Sequence, residues 1–146
     1  MSNLVPFTSD DEIAAIANGL LDRTLPKSVF THAAHFTATL WLLSMRPDFD
    51  LSQHLPGIIR AYNEAVGGAN TDSSGYHETI TQASIRAARA FLRESPLRPL
   101  FETCNARMDS PLGNSDWPLR YWSRDRLFSV EARRAWLGPD IRELPF

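Results

Sequence analysis

A 3.6-residue apolar period recurs along this chain, and proline or glycine interrupts it each time. That alternation restricts the fold to helices packed on helices. Ser9-Asp10-Asp11-Glu12 is a capping box, in which the serine hydroxyl accepts from the third helical N–H and the glutamate reaches back. Ile13, Ile16, Ala17, Leu20 and Leu21 follow at helical spacing and predict a helix over Asp10 to Asp22. Leu25-Pro26 breaks it. A second helix is expected from Phe30 to Met45, stopping before Pro47. Asp50, with Gln53 three residues on, opens a third, and Gly67-Gly68 ends it. Pro56 is tolerated best near a first turn, which moves the regular part of that helix toward Pro56. A fourth helix is expected over Tyr76 to Arg93, and a fifth over Pro99 to Arg107.

The C-terminal part reads as short pieces. Asp116-Trp117-Pro118 starts a short helix through Trp122 or Arg124. Ser129-Val130-Glu131 caps another that runs to Gly138-Pro139, and the last residues form an extended tail. No strand alternation and no internal repeat is present. The expected fold is therefore all-α: one domain over residues 1–146, an antiparallel bundle of four to five helices with short C-terminal helices.

Bulk properties narrow the function classes. With 43% apolar and 22% charged residues in 146, the chain can bury a core. The net charge of −2 argues against a nucleic-acid or anionic-membrane binder. A single cysteine, Cys104, excludes an intrachain disulfide and points to a reducing, cytoplasmic setting. Met1 to Phe7 lacks a basic stretch followed by an apolar run, so no signal peptide is expected. No apolar stretch is long enough to span a bilayer.

The chemistry concentrates on histidine. His32 and His35 lie three apart in Phe30-Thr31-His32-Ala33-Ala34-His35-Phe36 and share the helix face of Phe36, Thr39 and Leu43. His77 lies in Gly75-Tyr76-His77-Glu78-Thr79, at the start of the fourth helix. If consecutive helices run antiparallel, the start of the second, the end of the third and the start of the fourth meet. His32, His35, Tyr62, Tyr76 and His77 then collect at one end of the bundle. His54 lies at the other end, roughly 12 Å along the axis from Tyr62, and is not expected to be a ligand. Three neutral imidazoles with an open position suit a mononuclear zinc, iron or copper ion. Glu64 and Glu78 point about 140–150° off their helices' inner faces and fit supporting roles. Tyr62, Tyr76 and Arg124 are candidates for orienting a small-molecule substrate.

Each feature also has a plainer account. An inward histidine is commonly a hydrogen-bonded core residue, and Arg86, Arg89 and Arg93 form a solvated face. Cys104 is expected to be a small buried filler. The aromatic and arginine-rich stretch Tyr121 to Phe128 serves either as a lid over the histidines or as a clasp packed on the bundle. The expected function is thus a metal-dependent enzyme acting on a small molecule. The alternative is a non-enzymatic binding or interaction module in which the histidines are core hydrogen-bonders.

Four strings bear a resemblance: Thr31-His32-Ala33-Ala34-His35, Ile59-Arg60-Ala61-Tyr62-Asn63-Glu64, Gly75-Tyr76-His77-Glu78-Thr79-Ile80-Thr81, and Tyr121-Trp122-Ser123-Arg124-Asp125-Arg126-Leu127-Phe128-Ser129. Together they resemble a family of small bacterial helical proteins over about residues 26 to 146. That resemblance implies a shared fold and carries no activity. Glu64 and Glu78 fall within these strings, which keeps them near the expected site.

Overall fold

The structure is a computed structural model describing residues 5–146. The stretch from Met1 to Phe7, read above for a leader, lies partly outside these residues. All regular elements among the described residues are helical. They are α1 (Asp10–Asp22), α2 (His32–Met45), α3 (Leu51–Ala65), α4 (Glu78–Glu94), α5 (Leu100–Asp109), α6 (Arg124–Leu127) and α7 (Val130–Arg134). Three 3₁₀ turns, Lys27–Val29, Pro111–Gly113 and Trp117–Arg120, join them. No described helix is long and apolar enough to cross a membrane.

The capping chemistry explains the boundaries. Ser9, Thr31, Asp50, His77, Ser123 and Ser129 each accept a hydrogen bond from the third helical N–H of the helix they open. Arg23 ends α1 in the left-handed region at φ 65°, with its N–H closing on Gly19 and Leu20 carbonyls. The C-terminal segment departs from the expectation. Ser123 caps an additional helix, α6, and α7 stops at Arg134 rather than reaching Gly138.

Pro56 lies inside α3, which begins at Leu51. Its missing N–H leaves the Ser52 carbonyl without a helical partner. Gln82 on α4 supplies the substitute, its Nε2 donating to Ser52 O at 2.9 Å. The proline thus costs no unsatisfied carbonyl there, and the helix starts earlier than the residue alone suggests.

α2 is the central helix, packed along α1 and α4 and touching α5. Ala33, Ala34, Phe36, Thr37, Ala38, Thr39, Leu40 and Leu42 are all buried, so it presents no single inner face. α3 lies on α1 and α4. Around Phe36 and Leu40 the main core gathers Ile13, Ala87, Cys104, Trp117, Trp122 and Leu127. The C-terminal segment therefore completes the core. Trp122 is fully buried, and its Nε1 donates to Leu137 O at 2.9 Å.

Candidate functional site

His77 is the N-cap of α4. Its Nδ1 accepts from the Ile80 N–H at 3.2 Å, and its Nε2 donates to the Leu127 carbonyl at 2.7 Å. Those partners define the neutral tautomer with the proton on Nε2. Burial holds the ring below the usual histidine range, which favours that neutral form. Gly75 makes this start possible. It has φ +82°, and a Cβ there would lie 2.2 Å from the Ala69 carbonyl oxygen.

The C-terminal segment fastens around the same helix start. Arg133 donates to the Gly75 and Tyr76 carbonyls at 3.1 and 3.2 Å. Thr79 donates to Ala135 O at 2.9 Å and accepts from the Leu137 N–H at 3.1 Å. Arg86 stacks on Trp136, 4.2 Å from the ring centre. The segment is a clasp around α4. Arg124, a candidate from sequence for orienting a substrate, is exposed, and the arginine that contacts the start of α4 is Arg133.

His32 turns elsewhere. Its Nε2 donates to Leu112 O at 2.9 Å, in the 3₁₀ turn after α5. The same carbonyl accepts from Arg107 Nη1 at 3.1 Å. His35 packs edge-on against Phe30, ring centres 5.7 Å apart. Burial, with positive charge from His32 and Arg107, brings its pKa down to about 4.

Arg107 is the site residue that the sequence reading missed. It is 0% exposed, lies 4.6 Å over the Phe36 ring, and donates through Nη2 to Ala33 O at 3.4 Å. Its Nε and the Thr37 hydroxyl are buried without a hydrogen-bond partner among the described residues. Burial lowers its pKa to about 10. The nearby Cys104 thiol is pushed up to about 11, burial again being the main cause, so it is a neutral filler at ordinary pH. The available signal was an arginine at helical spacing from Cys104, on the face that α5 turns to α2.

The tyrosines and glutamates have local roles. Tyr62 donates to Leu25 O at 2.8 Å. Tyr76 donates to Glu78, and the Arg60 guanidinium lies 4.4 Å over its ring. Burial, then Glu78, raises the Tyr76 pKa. Glu64 is exposed. A depression of about 380 Å³ is lined by Lys27, Phe30, Tyr62 and Val66, and by none of the three histidines. Among the described residues no three His, Cys, Asp or Glu side chains are grouped to hold a metal ion.

At the opposite end of α2 lies a larger cleft, of about 500 Å³. Arg46, from the end of α2, and Arg89 and Arg93, from the last turns of α4, line it with Leu43, Phe49 and Leu92. No carboxylate lines it, and none of the three guanidinium groups has a hydrogen bond or ion pair among the described residues. His54 stands at this end, stacked on Phe49 with ring centres 4.6 Å apart.

Compared with family models, with curated proteins and with solved structures, the chain matches none.

Proposed function

We propose that the chain is a non-enzymatic helical binding module that takes a small anion in the cleft of Arg46, Arg89 and Arg93. One observation carries the reading. Three guanidinium groups line one cleft, and no carboxylate lines it with them. Arg89 and Arg93, four residues apart on α4, repel each other unless an anion lies between them. Arginine presents planar, paired donors that suit phosphate and carboxylate. Leu43, Phe49 and Leu92 supply apolar walls beside those donors.

The rival is a metal-dependent enzyme with His32, His35 and His77 as ligands of zinc, iron or copper. Both nitrogens of His77 have protein partners, so ligation would cost the helix cap and the Leu127 contact. The Arg107 charge acts on both His32 and His35, and it opposes a second cation there.

Titration of the full chain with methyl phosphate tests the proposal. The expected result is saturable binding with Kd of about 1 mM or tighter at low salt, weakened several-fold by roughly 0.3 M sodium chloride. Unchanged affinity in Arg89→Gln/Arg93→Gln would refute it. Elemental analysis of untagged protein, reconstituted with each metal in turn, tests the rival. The expected content is under about a tenth of an equivalent. A stoichiometric ion lost on His77→Ala would establish the metal site.

A further inference from the structure

A second depression, of about 250 Å³, adjoins the arginine cleft. Ser44 and Leu92 line both, so the two lie side by side. The second depression runs between the end of α2 and the turn joining α4 to α5, and its apolar lining comes from Met45, Leu92, Pro96, Leu97 and Leu100. Two of these are exposed to an unusual degree for their size, Met45 at 59% and Leu97 at 106%. Arg98, at its edge, donates to the Thr103 hydroxyl at 3.3 Å and so already has a partner.

The groove is thus polarised. One end carries three guanidinium groups and no lining carboxylate, and the other carries aliphatic side chains left in water. A free phosphate fits the first end and leaves the second exposed. A purely apolar molecule does the reverse. Resting on the anion-binding reading above, we infer that the ligand is a single-chain amphiphile, with a phosphate or carboxylate head at Arg46, Arg89 and Arg93 and an aliphatic tail along Met45 and Leu97. The head supplies orientation through paired N–H donors. The tail supplies affinity, each fully buried methylene strengthening binding by about four-fold.

Calorimetric titration of the full chain with methyl phosphate and octyl phosphate, the latter below its micelle concentration, tests the inference. Octyl phosphate is expected to bind about ten-fold tighter or more, since burial of two or three methylenes suffices. Met45→Ser/Leu97→Ser is expected to remove that advantage and leave methyl phosphate unchanged. Both residues are exposed, so the fold does not depend on them. Arg89→Gln/Arg93→Gln is expected to weaken both ligands. If methyl phosphate binds through the arginines but octyl phosphate binds no tighter, the anion site stands and the amphiphile falls. Should neither bind, the anion site falls as well. Binding of the octyl ester only within phosphatidylcholine vesicles would replace the single ligand by a membrane surface and overturn the inference.

Discussion

His77 combines two structural jobs in one ring, and both follow from its position before Glu78. As an N-cap it satisfies the Ile80 N–H, and through Nε2 it satisfies the Leu127 carbonyl. Replacing it with alanine removes both contacts. We expect His77→Ala to lower unfolding free energy by about 2 kcal/mol, combining a lost cap and a lost buried hydrogen bond. His77→Asn should recover about half, because asparagine caps well but cannot reach Leu127 in the same way. Urea melts measure the loss. Faster amide exchange across α6 would localise it, whereas an unchanged midpoint for His77→Ala would refute the account. The sequence marked this residue as special because histidine followed by Glu78-Thr79 starts a helix. It could not say that the ring's partner lies fifty residues on. For Arg107 the limits were greater. An arginine is mostly a surface residue, and the chain nowhere advertises that two carbonyls and an aromatic face await this one.

Among the elements, α1 was legible to the residue, since its capping box and its apolar spacing agree. The outward placement of the α4 arginines was legible too, since Arg86, Arg89 and Arg93 are all exposed, but the stacking of Arg86 on Trp136 was not. α2 was less so. A periodicity argument assumes one buried face, and this helix is buried nearly all round. Consequently His32 and His35 point toward different neighbours, Leu112 and Phe30, although they lie three residues apart. In α3, Pro56 misled because its compensation comes from another helix. That compensation is testable as a coupling. Gln82→Ala alone should cost about 1 kcal/mol by orphaning the Ser52 carbonyl. In a Pro56→Ala background the restored N–H takes over, and the same change should cost much less. A double-mutant cycle by chemical denaturation reads the difference, and a coupling near zero would contradict the proposed exchange of partners.

At the level of the molecule, three histidines tie stability to pH. His32, His35 and His77 all have lowered pKa values, with burial the first cause in each. The unfolded chain therefore takes up protons at higher pH than the folded one. The stability these groups contribute is complete above the ordinary histidine value of about 6.5 and is lost as pH falls toward each folded value. For His35 that window extends to about 4. Urea unfolding at pH 7 and pH 5 should differ by up to about 2 kcal/mol from His35 alone, less whatever water screens at this partly buried ring. His35→Leu should flatten the dependence over that interval. A wild-type chain equally stable at both pH values would count against these shifts.

Trp122 and Leu127 share a core with Ile13, although most of the chain separates them. That arrangement carries a consequence for biosynthesis. A nascent chain can have all of its long helices outside the ribosome and still lack the side chains that fill the space beside Phe36 and Ala87. Until Trp122 and Leu127 emerge, that apolar surface stays open to water and to chaperones. Emergence of Trp122 and Leu127, and not of the long helices alone, is therefore the event that fills this core.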